Sequence, residues 1–272
     1  MRGMWRSSVL LALFVAGDAR ATGGTVAVAG RVILNGPGGS WLSGVEVCVV
    51  GPRACATSGR EGEFLVHAPA HSEVTLTLSK PGHGGVAIGL ATTSADARGS
   101  VFGMSTDAML HARKSGVAAA HPSDVTGHVV AVASPPDREI GVEGVMLSIE
   151  PPSGKGPFYA EPDGTFATKR DRTSSWSAAL FTEVAPGEVE IVYATSLSCV
   201  PGFGGWHSKR TNAVRAPVVS GFETRVAMVC KLAPPRLRGR ADWAAAARPF
   251  ISRVIKSGAA AHSTIRARST RF

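Results

Sequence analysis

Between residues 30 and 82 the chain alternates apolar and polar side chains in short runs, and each run stops at glycine or proline. Val74-Thr75-Leu76-Thr77-Leu78 puts three aliphatic side chains on one face and two threonines on the other. That is the period of a half-buried strand, and no helix shares it. Val45-Glu46-Val47-Cys48-Val49 alternates likewise and sends Cys48 to the polar face with Glu46. Asn35-Gly36-Pro37-Gly38-Gly39, Gly51-Pro52, Glu61-Gly62 and Pro81-Gly82 read as turns. Strands are predicted near Val26–Leu34, Val45–Val50, Ala54–Ser58, Glu63–His67, Val74–Ser79, Val86–Thr92 and Val101–Leu110. Strands so short and closely spaced predict a two-sheet antiparallel sandwich over residues 25–112.

Residues 113–124 read as a linker, small in composition and stopped by Pro122. Residues 125–232 then repeat the first pattern more loosely. Gly127-His128-Val129 matches Gly30-Arg31-Val32, and Gly144-Val145 matches Gly44-Val45. Asp163-Gly164-Thr165-Phe166 matches Glu61-Gly62-Glu63-Phe64, with an insertion placed at Lys169–Trp176. Ala185-Pro186-Gly187 precedes an alternating strand as Ala68-Pro69 does. A repeat of turns at matched spacing predicts a second, divergent sandwich. The expected fold class is all-β: two consecutive antiparallel β-sandwich modules and a short helical or disordered C-terminal tail. Phe64 and Phe166 are expected to fill the space between sheets, and Gly30 to permit a bulge or close strand approach.

Gly-x-Val, Gly-Val-x-Val, acid-Gly-x-Phe, then proline and an alternating strand together resemble the carboxypeptidase regulatory-like domain. Lys80-Pro81-Gly82-His83 resembles the ending of that motif, with His83 where the family usually has Tyr or Phe. The resemblance implies a transthyretin-like (prealbumin-like) β-sandwich. It also implies an accessory domain rather than a catalytic one, because these motifs specify turns and not chemistry.

Residues 1–21 read as a secretory leader. Arg2 and Arg6 precede the apolar run Val9–Ala16, and Ala19-Arg20-Ala21 supplies small residues for cleavage before Thr22. The run is too short to span a bilayer. An exported chain with four cysteines, Cys48, Cys55, Cys199 and Cys230, is expected to form two disulfides. Four cysteines allow three pairings. A two-residue turn at Gly51-Pro52 would set Cys48 opposite Cys55 and favour that one.

The formal charge of +9 is concentrated at the ends. The leader carries +2, the tail from Pro234 onward +8, and residues 22–233 are left at −1. A near-neutral body argues against nucleic acid as a partner. The absence of Gln and the presence of only two Tyr leave little for reading sugar hydroxyls.

No nucleophile elbow, phosphate loop or zinc-helix motif occurs. His67 and His71 have ligand spacing for a helix, but Pro69 lies between them. No catalytic residue, metal or cofactor is therefore assigned. Trp176, on the insertion, and Phe203 and Trp206, on a glycine-rich loop, are the candidate binding aromatics. In the basic tail (233–272), Trp243, Phe250 and Ile251 would share a helix face suited to a membrane surface, although Pro249 interrupts it. The expectation is a secreted, non-enzymatic structural or binding module, in the periplasm or outside the cell. Its partner would be an envelope or extracellular protein or polymer. The alternatives are membrane-surface association through the tail, or an enzyme of unrecognised type.

Overall fold

The computed structural model describes residues 24–36, 39–51, 54–117, 121–136 and 141–231. The leader and the tail, with Trp243, Phe250 and Ile251, lie outside the described residues.

Seven strands form the first sandwich: β1 (Thr25–Leu34), β2 (Glu46–Val49), β3 (Ala54–Thr57), β4 (Glu63–Pro69), β5 (Glu73–Ser79), β6 (Val86–Ala91) and β7 (Ala97–Met104). One face is the sheet β4-β1-β7, and the other is β3-β2-β5-β6. The alternation seen in sequence fills the space between them with Val28, Val32, Phe64, Val66, Leu76, Leu78 and Phe102, all buried. Burying a large aliphatic or aromatic side chain contributes roughly 1.5–3 kcal/mol. Gly30 sits against Ser100 and Phe102. A β-carbon there would lie 2.7 Å from the Ser100 carbonyl oxygen, and the β1–β7 register shifts beside it.

The second sandwich contains β8 (Gly127–Ser134), β9 (Met146–Glu150), β10 (Lys155–Ala160), β11 (Phe166–Ala167), β12 (Ala178–Val184), β13 (Gly187–Ala194), β14 (Ser198–Phe203), β15 (Trp206–His207), β16 (Ala213–Val218) and β17 (Glu223–Lys231). Sheet β11-β10-β12-β8-β17 faces sheet β15-β16-β13-β9. Val129, Leu147, Phe181, Ile191, Tyr193, Val214 and Met228 form its core. The chain is thus all-β, in two sandwiches.

The sheets are not wholly antiparallel, as the sequence reading had them. β1 runs parallel to β7, and β8 parallel to β17. Each sandwich closes by laying its last strand beside its first, in the same direction. The two sandwiches also share a sheet. β17 pairs in parallel with β6, Glu223 opposite Val86 and Thr224 opposite Ala87. Further along, β14 replaces β6 as its neighbour. The result is one ten-stranded sheet crossing both cores.

The stretch between the sandwiches differs from the expected strand and linker. Asp107–Lys114 is a helix, α1, capped by the Thr106 hydroxyl, which accepts from the Met109 N–H at 3.2 Å. Ser105-Thr106-Asp107 is a helix start: a hydroxyl at the cap and an acid in the first turn. A 3₁₀ turn, Ser115–Val117, continues it. This segment lies on the outer face of the β10-β12-β8 sheet. There Gly116 meets the Phe166 backbone, and Val117 packs against Ala160, Phe166, Ala178 and Leu180.

Hydrogen bonds define the internal repeat. The Ser58 hydroxyl donates to the Leu42 carbonyl at 2.7 Å and accepts from the Val45 N–H at 2.9 Å. The Thr173 hydroxyl donates to Val142 at 2.7 Å and accepts from Val145 at 3.0 Å. Val32 donates to the Gly62 carbonyl as Ala133 donates to that of Ser177, at 2.8 and 3.0 Å. The counterpart of Gly62 is therefore Ser177, not Gly164. Asp163-Gly164-Thr165-Phe166 instead turns the extra hairpin β10–β11. Phe166 lies in the outer-face cluster rather than between the sheets. The insertion accordingly falls before Thr173.

Candidate functional site

The turns that distinguish the second sandwich also shape a hollow on its outer face. β10 leaves the place that β3 holds in the first sandwich and pairs with β12 instead. This widens the outer face of the sheet, and α1 covers only part of it. The rest is the floor of a cleft of about 610 Å³, between α1, the Asn35-Gly36 loop and the wall made by Gly164 and Trp176. Val130, Val132, Phe166 and Ala178 give it an apolar base.

A buried charged cluster closes one end. His128 on β8 and Glu223 on β17 are register partners. Glu223 and Arg225 share the sheet face opposite to the core residues Val226 and Met228. Lys114 reaches down from the end of α1. Its Nζ lies 2.5 Å from Glu223 Oε2 and 3.2 Å from His128 Nδ1. Arg225 donates from Nε to Glu223 Oε1 at 2.9 Å and from a terminal nitrogen to the Gly103 carbonyl at 2.7 Å, which ties the cluster to the first sandwich.

Burial pushes the Glu223 carboxyl up, but Lys114 and Arg225 outweigh it and hold it at about 2. Burial, helped by the Lys114 charge, lowers His128 to about 4. At neutral pH its ring is uncharged, and Nδ1 accepts from the ammonium. An imidazole so enclosed and engaged is poorly placed as a general base for an outside substrate. Burial alone pushes the Tyr193 phenol up.

The candidate aromatics separate. Trp176 is 48% exposed and forms the cleft wall. Trp206 is only 7% exposed. Its indole N–H donates to the Leu90 carbonyl at 3.3 Å, and its ring covers Gly89. Phe203 packs on Phe102 with ring centroids 6.0 Å apart. Gly204 between them accepts from the Gly89 N–H at 2.9 Å. Trp206 thus helps form the seam between the sandwiches, and Phe203 packs on Phe102 while remaining 37% exposed.

Cys48 is joined to Cys55 and Cys199 to Cys230, each across a pair of directly opposed strand residues. Glu46 lies near the first pair. With both sulfurs bonded, no thiolate remains there to bind a metal.

Sequence reading missed Arg113, Lys114, His128, Glu223 and Arg225. The alternation of β17 did carry a signal, since it sets Glu223 and Arg225 on one face. Lys114 was hidden in the presumed linker.

No family model matches the chain, and no curated protein matches it. Among solved structures it is similar to the minor pilin GBS52 of Streptococcus agalactiae, at 12% identity over 79% of this chain and 100% of that one, TM-score 0.28. It is also similar to the shaft pilin SpaA of Lactobacillus rhamnosus GG, at 11% identity over 78% and 100%, TM-score 0.24. A third is the TIE protein of Bacillus anthracis, at 9% identity over 76% of this chain and 34% of that one, TM-score 0.24. The chain's own side chains therefore carry the functional reading.

Proposed function

We propose that this chain is an exported, non-catalytic structural or binding module that acts at the cell envelope or outside the cell. It presents two sandwiches as one rigid body to a protein or polymer partner. The observation that carries the reading is the seam. β6 and β17 extend one sheet through both cores, Trp206 seals it, and Arg215 bridges Glu73 of the first sandwich and Glu188 of the second. An enzyme with moving domains gains nothing from such a weld, whereas a spacer or a scaffold for a binding surface does. The two disulfides support an oxidising destination. No helix of the described residues is long and apolar enough to cross a membrane.

Export is tested by producing the full chain with its own leader in a bacterial host. Fractions are then labelled with a maleimide before and after reduction. The expected product begins at Thr22, lies in the periplasm or medium, and takes label at four cysteines only after reduction. A full-length cytosolic chain with four free thiols would overturn the proposal.

A further inference from the structure

Among the described residues that line it, the cleft carries more positive than negative charge. Among the described residues, Arg113, Lys114 and Arg225 line it with a single carboxylate, Glu223. Each oxygen of Glu223 faces a cation of the cluster, Oε2 toward Lys114 and Oε1 toward Arg225. The remaining partners of these cations, His128 Nδ1 and the Gly103 carbonyl, accept hydrogen bonds but carry no countercharge. Lys114 is buried and Arg225 nearly so, with side chains 1% and 19% exposed. Two enclosed cations thus share one anion, and the half-buried Arg113 adds a third positive group to the same cleft. Excess charge withdrawn from water is costly unless something neutralises it. An ammonium has three donors, and among the described residues Lys114 has one hydrogen bond, to His128 Nδ1, beside its ion pair with Glu223.

Beside this charge the lining is apolar. The base is aliphatic and aromatic, and the Trp176 indole stands as a half-exposed wall. A bare inorganic anion would leave that surface wet, and a purely apolar guest would leave the cations unanswered. At about 610 Å³ the space is within the range of small-ligand sites.

We infer that this cleft binds a small organic anion with a flat apolar body, an aromatic carboxylate, its charge toward Arg113 and Arg225 and its ring against Trp176 and Phe166. The stacked ring and the guanidinium–carboxylate contact act together, since the first desolvates the second. This goes beyond the rigid-scaffold reading and does not depend on it. If the cleft proves empty of ligand, the seam is untouched.

The test titrates the mature, oxidised chain with 2-naphthoate and with neutral 2-naphthylmethanol, followed by calorimetry and tryptophan fluorescence. The acid is expected to bind about tenfold tighter than the alcohol, the discrimination that one charge-assisted contact supplies. Arg113→Gln should abolish that preference while leaving the alcohol's affinity unchanged. Trp176→Ala should weaken both. Arg98→Gln, an exposed change on the first sandwich, should alter neither. Both cleft residues are at least partly exposed, so the variants are expected to keep the wild-type melting temperature. Equal affinity for acid and alcohol would overturn the inference, as would an acid preference that survives Arg113→Gln.

Discussion

The two sandwiches solve one problem in two ways. In each, the second strand would present a bare edge of N–H groups, which invites pairing with other chains. The first sandwich covers β2 with β3, stapled by Cys48–Cys55. The second sends β10 to the opposite sheet and covers β9 with a side chain: the buried Tyr159 hydroxyl accepts from the Leu147 N–H at 2.8 Å. One phenol replaces part of a strand. The strand so released builds the floor and wall of the cleft. The first sandwich spends its sequence on closing itself, and the second spends part of it on a surface that can hold something.

The disulfides give the largest expected contrast. Cys199–Cys230 spans 31 residues and Cys48–Cys55 spans 7. On loop-closure entropy the first contributes about 4 kcal/mol and the second about 2. Replacing each pair by alanine and measuring denaturant midpoints should rank them in that order. Equal losses would mean that β3 gains more from its staple than chain entropy supplies.

The paired turns come next. Gly62 has φ +71°, and a β-carbon there would lie 2.3 Å from the Val32 carbonyl oxygen. Gly62→Val should cost about 3 kcal/mol, more than any surface charge change. Ser177 fills the equivalent position with φ +52°. Ser177→Gly should be neutral or stabilise by up to about 1 kcal/mol, because it relieves a left-handed backbone. Melting temperatures of the two variants check the opposite signs.

Among the described residues the buried cluster has no counterpart in the first sandwich, so acid should affect the molecule from the second. His128 titrates near 4 when folded and near 6.5 when unfolded, so the unfolded chain binds the extra proton between those values. Stability should therefore be full above pH 6.5 and fall as pH drops toward 4, by about 2 kcal/mol after allowance for screening. Glu223 adds loss of the same sign from its ordinary value of 4.5 down to about 2. His128→Asn, which retains an acceptor for Lys114, should flatten the upper part of that profile in urea titrations.

Much of the fold was legible because strands announce themselves locally. The threonine alternation of β5 and the glycines at Gly44 and Gly144, at φ +69° and +78°, act within a few residues of where they are read. The alignment of the repeat failed where a short turn signal recurred by chance. Asp163-Gly164 turns an inserted hairpin, while the true counterpart of Gly62 is a serine. The cleft was legible only in part. Trp176 was singled out, and β17 placed Glu223 beside Arg225. The meeting of Lys114 with Glu223 depends on how α1 lies across a sheet built from distant segments, which no local pattern encodes.

The closing of each sandwich by a parallel first-and-last pair has a mechanical consequence. β1 enters at one end of its pair and β7 leaves at the other, and β8 and β17 repeat the geometry. Tension applied along the backbone slides these neighbours lengthwise instead of peeling them apart. Every rung of the ladder then bears load at once.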